Sequence, residues 1–197
     1  KKQRSKLFER WFVHHKFPKN INTTPSNWKK LPLKDFVTFK KGKKLAGDAI
    51  DNGLYPFFTG SKETQKINEY SFDQEALILI ADGARHIKYF SGKFNATGHV
   101  YVLDASHKYI SWLLEIIKYS IPIFDRISRG TGITGLCLGD LRNFEVPLPP
   151  DNLLNLFNKF AEPIQKQIDN LSKLINDFQF IKWELVERIY SQNLEIN

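Results

Sequence analysis

Apolar residues recur along the last third of the chain at alternating spacings of three and four. The series starts at Leu154, continues beyond Pro163 and is interrupted at Lys182. Such spacing predicts a helix with a narrow apolar stripe, which pairs with a partner helix or packs on its own domain. Because proline lacks an amide hydrogen, we expect a short first helix to end or kink at Pro163. The predicted helix-pairing residues are Phe157, Ile164, Ile168, Leu171, Ile175, Phe178, Leu185 and Ile189.

In the middle of the chain the spacing of apolar residues changes from one segment to the next. Residues 76–83, ALILIADG, form an apolar run that ends in a turn signal, and residues 99–104, HVYVLD, alternate, so both segments predict strands. Residues 109–124 have helical periodicity, and we expect Pro122 to stop that helix. Residues 144–150 predict a short strand that leaves through prolines into the tail helix.

These elements predict an α+β protein, in which a mixed α/β domain is followed by a long coiled-coil-like helix. The hexapeptides LFERWF at 7–12 and LVERIY at 185–190 share Leu, Glu and Arg in register. We therefore interpret residues 1–17 as the last turns of an earlier copy of the tail helix. Position 1 is lysine and the chain has no methionine, so we expect it to be a piece of a longer reading frame.

Charge is distributed unevenly over the 197 residues. The net charge of +8 divides into +6 on residues 1–26, +4 on residues 27–150 and −2 on residues 151–197. This asymmetry fits a phosphate-facing surface formed by residues 1–150 and a different function for residues 151–197. With 42% apolar residues, the chain is expected to fold around one core.

The single cysteine, Cys137, excludes an intrachain disulfide framework and a cysteine metal cluster. It stands between Leu136 and Leu138, so we expect it in the core. One cysteine suits a reducing compartment, which predicts a cytoplasmic protein. No apolar run approaches the roughly 20 residues of a membrane span.

Catalytic motifs are absent from the sequence. It contains no GxxxxGK[ST], HExxH or GxSxG motif, and its five histidines have no metal-ligand spacing. Gly130, Gly132 and Gly135 match the dinucleotide fingerprint GxGxxG, but Gly139 and three prolines follow them. These residues prevent the long helix whose N-terminus would hold a pyrophosphate. The sequence therefore predicts no catalytic, cofactor-binding or metal site in this chain.

Cations gather instead at three predicted loops. These are FKKGKK at 39–44, GARHIKYF at 83–90, and the segment in which Arg126 and Arg129 precede the glycine loop at 130–135. A nearby turn, FFTGSK, adds small hydroxyls. Exposed amides, hydroxyls and cations suit an extended polyanion, and arginine can bond guanine through a bidentate fork. We expect the lysines at 40–44 to contact phosphates, and Arg85, Arg126, Arg129, Thr131 and Thr134 to meet base edges. The predicted DNA-binding residues are Lys40, Lys41, Lys43, Lys44, Thr59, Ser61, Lys62, Arg85, His86, Lys88, Arg126, Arg129, Thr131 and Thr134.

Several segments resemble one family in the order in which they occur. LFERWFVHHKFP resembles the end of a conserved region in specificity subunits of Type I restriction–modification systems, where the pattern is LF-x-x-WFV-x-x-x-x-P. GDLRNFEVPLPP, followed by a helix with FAEPI, is similar to the passage from a target recognition domain into the next conserved helix. GLYPFFTGS, ILIADGA and GTGITGLCLGDL fall where such domains carry similar segments.

The resemblance implies a division of the chain and a set of partners. Residues 1–18 would end a preceding conserved helix, residues 19–149 would form a target recognition domain, and residues 150–197 would form a conserved helical dimerisation or spacer region. Each such domain reads one half of a split double-stranded DNA target, and the subunit is not catalytic. The implied partners are methyltransferase subunits with S-adenosylmethionine, and restriction and translocase subunits with ATP and magnesium. The chain itself would bind no cofactor, and its C-terminal helix would allow self-association.

Three alternatives remain at the level of sequence. The chain could be the recognition domain of a Type IIG-like or half-subunit system, in which two copies pair through their helices. It could be a protein-interaction adaptor whose basic loops are only solvated. An enzyme, such as a small methyltransferase or nuclease, is the least favoured class because its motifs are missing.

Overall fold

Helices from both ends of the chain flank a strand-rich middle in the computed structural model. It describes residues 2–19, 21, 23–83, 85–128 and 135–194, with side chains up to 191. The helices are α1 (Lys2–Phe8), α2 (His107–Ile127), α3 (Leu138–Arg142) and α4 (Asp151–Leu194). The strands are β1 (Lys30–Pro32), β2 (Val37–Lys41), β3 (Tyr55–Phe58), β4 (Gln65–Ile67), β5 (Phe72–Ile80), β6 (His86–Ala96), β7 (Val100–Ala105) and β8 (Glu145–Pro147). The predicted α+β class is confirmed.

The main sheet has six strands in the order β2-β7-β5-β6-β3-β4. All neighbours are antiparallel except β3 and β6, which run parallel. Residues 76–80 of β5 are all fully buried. A continuous apolar run of this kind, rather than an alternating one, marks a strand that is covered on both faces. The two strands predicted in this region are confirmed as β5 and β7, with shifted ends.

Alternate side chains of β5 enter two different clusters. Leu77 and Leu79 pack into the larger core together with Trp112 of α2. Ile78 and Ile80 face the opposite way and join Phe94 in a smaller cluster. This division follows from the two-residue period of a strand.

Helix α2 continues through Pro122 to Ile127, so the predicted stop at Pro122 is wrong. The ring of Phe124 is fully buried and meets Phe144 edge-on, with 4.8 Å between the ring centroids. Pro122 is exposed on the outer side of the helix. A proline in a helix interior costs about 3 kcal/mol, and burying the aromatic turn that follows offsets this cost.

Helix α4 is likewise continuous over 44 residues, so the predicted end of a short first helix at Pro163 is wrong, while the kink stays a prediction. Side chains before Pro163, including Leu154 and Ala161, are fully buried against the domain. After it, Arg4 Nη1 donates to Gln165 Oε1 at 2.6 Å. Contacts on both sides of Pro163 therefore support the continuous helix despite the lost hydrogen bond.

The front of the chain is helical for a shorter stretch than predicted. Helix α1 passes into a π-helical turn, Glu9–Val13, and the helix ends there rather than near residue 17. His15 has a φ of 53°, in the left-handed region that most side chains avoid. Trp11 and Phe12 belong to the same core cluster as the sheet and α2.

A second, two-stranded sheet lies where the chain leaves the domain and continues into α4. Strand β1 pairs antiparallel with β8, which confirms the short strand predicted within residues 144–150. Pro149 and Pro150 then lead into α4. Cys137 is exposed, so its predicted place in the core is wrong, whereas the adjacent Leu136 is buried. Its apolar neighbours had predicted burial, but Cys137 lies in the turn before α3, where its side chain is exposed.

Gly42 lies where β2 passes over the end of β6. A Cβ atom at this position would lie 2.0 Å from the carbonyl oxygen of Ala96. We expect Gly42→Ala to lower the free energy of unfolding by about 1–3 kcal/mol, because backbone must move to relieve the overlap. Urea unfolding would measure the change, with Gly47→Ala as control, since a Cβ there meets nothing within 4 Å. Equal stability of the two variants would contradict this prediction.

Candidate nucleic-acid interface

The loops after β2 and β3 meet at the turn formed by residues 97–99. The amide of Lys44 donates to the carbonyl of Ala96 at 3.4 Å. The amide of Thr97 donates to the carbonyl of Phe58 at 3.0 Å. Two of the basic or hydroxyl-bearing loops predicted from sequence are therefore joined to the same turn.

The loop after β5 and the end of the glycine loop join this turn as well. The amide of Ala81 donates to the carbonyl of His99 at 3.0 Å, and the amide of Leu136 donates to the carbonyl of Ala81 at 3.2 Å. Asp82 forms an antiparallel bridge with Gly135, and its carboxylate is hydrogen-bonded to the ring of His99. The tertiary structure thus gathers loops that are far apart in sequence.

The four lysines at 40–44 lie at the surface with different neighbours. Lys40 Nζ lies 3.3 Å from Asp104 Oδ2, and Lys41 Nζ lies 5.4 Å from the ring centroid of Tyr101. Lys44 pairs with Glu69, and this hydrogen bond raises the pKa of Lys44. Lys43 is exposed. Exposed ion pairs contribute about 0–1 kcal/mol, so a phosphate can compete for these cations.

Arg85 is buried in an ion pair instead of facing outward. Its side chain is 2% exposed, and its Nη1 lies 2.5 Å from Oδ1 of Asp125 on α2. The predicted contact of Arg85 with a base edge conflicts with this placement, because the guanidinium is shielded from any ligand. The ion pair holds the loop after β5 against α2.

The FFTGSK turn and β6 are linked by Lys88. Lys88 Nζ donates to the carbonyl of Lys62 at 2.6 Å and to Thr64 Oγ1 at 3.1 Å. Thr59 is 3% exposed, and its Oγ1 accepts a hydrogen bond from the amide of Ser61. This buried hydroxyl shapes the turn, so the predicted contact of Thr59 with DNA conflicts with its position. Ser61 and Lys62 are exposed.

The remaining predicted DNA contacts differ in how the structure places them. His86 is half-buried at the start of β6, opposite Ile80. Arg126 is exposed on α2, with its Nε donating to the carbonyl of Pro122. Arg129, Thr131 and Thr134 lie outside the described residues, and their predicted roles stay predictions.

The predicted helix-pairing residues divide into three groups along α4. Phe157 is fully buried and meets Phe12 at 5.2 Å between ring centroids, so its expected role in pairing with another helix is wrong. Ile164 and Ile168 are half-buried beside the domain. The other five are more than half exposed: Leu171, Ile175, Phe178, Leu185 and Ile189.

A large cleft that no sequence motif indicated lies between β6, α2 and α4. This basic cleft has a volume of about 1030 Å³, and its cationic lining consists of Arg4, Lys62, Lys66, Lys88, Lys118 and Lys173. The residues come from five separate segments, so no local run of charge marks them. Lys62 and Lys88, which were predicted, connect the cleft to the loops described above.

Among the described residues, no group of three histidine, cysteine or acidic side chains is placed to hold a metal ion. Within the same part of the chain, no helix combines the length and apolar character needed to cross a membrane.

Comparison with known proteins gives a consistent result. The family model for the Type I restriction modification DNA specificity domain matches residues 25–189. The chain is 29% identical over 146 residues to the Type I restriction enzyme EcoDI specificity subunit of Escherichia coli, covering 74% of this chain and 33% of the relative. It is 26% identical over 170 residues to the Type I restriction enzyme MjaVIII specificity subunit of Methanocaldococcus jannaschii, covering 76% and 40% of the two chains.

Two solved structures have a similar fold. The S subunit of a Type I restriction–modification system from M. genitalium superposes with a TM-score of 0.64 at 19% identity, covering 82% of this chain and 44% of that one. The HsdS subunit from Thermoanaerobacter tengcongensis gives 0.56 at 16% identity, with 87% and 46% covered. The chain thus spans less than half the length of these relatives. Because the family model covers most of its residues, the chain belongs to the Type I restriction modification DNA specificity domain family.

Proposed function

We propose that this chain is a non-catalytic DNA specificity module, whose domain at residues 19–149 reads one half of a bipartite double-stranded target. The observation that carries the proposal is the convergence of the basic loops at the 97–99 turn, in a chain of this family. Loops held on a rigid sheet can present cations and hydroxyls to DNA in a fixed arrangement. The lysines at 40–44 would contact phosphates, whereas Arg126 and the arginine and threonines of the glycine loop would meet bases.

We further propose that α4 docks partner helices. Leu171, Ile175 and Phe178 continue the heptad stripe at the surface, and all three are more than half exposed. At about 100° per residue, Leu174 and Ile181 fall on one flank of this stripe, while Trp183 and Tyr190 fall on the other. These four flanking side chains are between 46% and 67% exposed. An apolar sector of this width exceeds the seam of a two-helix pair and fits burial by two neighbours.

The partners that suit this sector are a second specificity helix and the methyltransferase subunit. Restriction and translocase subunits would join the resulting complex. S-adenosylmethionine, ATP and magnesium would then be bound by those subunits, and this chain would supply DNA recognition alone.

The test combines co-purification with selection. The chain is co-expressed with a Type I methyltransferase subunit, and the complex is used to select duplexes from a random pool. Enrichment of a short motif, in one or both arms of a split site, is the expected result. A stable complex without any enriched sequence would favour the protein-interaction adaptor and overturn the proposal.

Lys43 provides a test of the phosphate-contact role. Replacing one phosphate-contacting lysine lowers the slope of log affinity against log salt by about one. We expect Lys43→Gln to have this effect while the preference among sequences stays the same, because phosphates are identical at every base pair. Fluorescence anisotropy at several salt concentrations measures the slope. A change in preferred sequence with an unchanged slope would assign Lys43 to base recognition instead.

A further inference from the structure

We propose that the basic cleft holds the sugar-phosphate backbone of one DNA strand, so that α4 contacts DNA on one side and partner helices on another. The inference rests on the proposed function and adds a second phosphate-binding surface to it. Its cations stand on opposite walls, with Lys66 on β4 and Lys173 on α4.

The charge balance of the cleft favours an anion. Among the described residues that line it, five lysines and one arginine accompany a single carboxylate, Asp169. That carboxylate already accepts a hydrogen bond from Gln165 Nε2 at 2.7 Å. Arg4 is paired with the buried Glu115, so the surplus positive charge lies on the lysines. The resulting field attracts phosphate groups in particular.

The side of α4 that faces the domain changes character where it reaches the cleft. Before the cleft it is apolar, with Leu154 and Ala161 buried in the core. Along the cleft Ile168 is its one apolar residue among the described lining residues, beside the polar Asp169, Ser172 and Asn176. The exposed heptad stripe continues along a different line of the helix. A mainly polar, cationic side over a cleft is suited to a hydrated ligand, whereas an apolar side would be suited to a second protein segment.

The size and floor of the cleft also fit a nucleic-acid strand. Its volume of about 1030 Å³ slightly exceeds the ~300–1,000 Å³ typical of small-ligand pockets, and its walls include five long lysine side chains. Phe58 and Phe90 form part of the floor together with Tyr89. Tyr89 donates its phenol hydrogen to Glu75 Oε1 at 2.7 Å, and a neutral phenol adds no negative charge to the cleft. An extended polyanion fits this combination better than a compact metabolite does.

The double variant Lys66→Gln/Lys173→Gln tests the inference without adding negative charge. The probe is a fluorescent duplex of about 30 base pairs with random sequence, titrated with the chain at several salt concentrations. The slope of log affinity against log salt should fall by about two, since two phosphate contacts are lost. The matched control is Lys29→Gln/Lys30→Gln, which removes the same charge from exposed residues at the start of β1 in the two-stranded sheet and should leave the slope unchanged.

Lysine labelling supplies a second measurement. The unaltered chain is acylated with and without the duplex, and we expect Lys66 and Lys173 to be protected while Lys29 is not. Loss of slope together with this protection supports the cleft as a backbone site. Equal slopes in the cleft variant and its control, or absent protection, would overturn the inference.

The outcomes also separate this inference from the proposed function. If the unaltered complex selects a motif but the cleft variant keeps its slope, only the inference fails. If the variant loses the methyltransferase subunit at an unchanged slope, the cleft is a protein-docking site and the inference is overturned. If the unaltered complex selects no motif, the proposed function fails, and an unaltered chain that binds no duplex overturns the cleft site as well. An unchanged urea midpoint shows that the variant is folded.

Discussion

Replacing Glu115 with leucine is expected to lower the free energy of unfolding by about 3–5 kcal/mol, because it leaves a buried guanidinium without its counter-charge. Arg4 Nε lies 2.6 Å from Glu115 Oε1, and the two side chains are 6% and 2% exposed. Arg4 also donates to Gln165, so this network joins α1, α2 and α4. Loss of Glu115 should therefore loosen the ends of the chain together.

Urea unfolding of a set of variants measures this effect. The double variant Arg4→Met/Glu115→Leu should regain most of the lost stability, since apolar pairs often replace buried ion pairs without loss. Lys108→Ala is the surface control: it breaks the pair between Lys108 and Asp151, whose side chains are 37% and 69% exposed. That control should change stability by about 1 kcal/mol or less. A loss of the same small size in Glu115→Leu would show that solvent reaches the Arg4 guanidinium.

Replacing Phe157 with alanine is expected to cost about 3–5 kcal/mol, because it opens a cavity in the core. The ring of Phe157 is fully buried, and its centroid lies 5.2 Å from that of Phe12, 6.3 Å from that of Trp11 and 6.4 Å from that of Phe8. All four rings come from the two ends of the chain. Urea unfolding at low protein concentration would measure the loss.

The matched control is Phe178→Ala, three heptads further along the same helix. Phe178 is 63% exposed, so truncating it should change the stability of the isolated chain by about 0.5 kcal/mol or less. The same variant should weaken association, measured by sedimentation at increasing concentration. If Phe178→Ala were as destabilising as Phe157→Ala in the isolated chain, α4 would be folded back on the domain.

The candidate site could be predicted from sequence only where its residues are close together in the chain. FKKGKK is a local run of charge, and its lysines are found at the surface as expected. Arg85 belongs to an equally basic segment, yet it is buried against Asp125, forty positions away. Apart from Lys62 and Lys88, the cations of the basic cleft had no sequence signal, because Lys66, Lys118 and Lys173 are brought together only by folding.

By itself, the sequence determined the period of each segment and therefore the element types: a strand at β5, helices at α2 and α4, and the apolar stripe of the tail. The order of its motifs also determined the family. The tertiary structure decided which apolar side chains remain exposed and can contact partners. Pro122 and Pro163 stay within helices because contacts of neighbouring residues, the buried ring of Phe124 and the hydrogen bond from Arg4 to Gln165, offset the local backbone cost. Phe157 is withdrawn into the core because it packs on Phe12. Such contacts join residues far apart in the chain, and local periodicity contains no information about them.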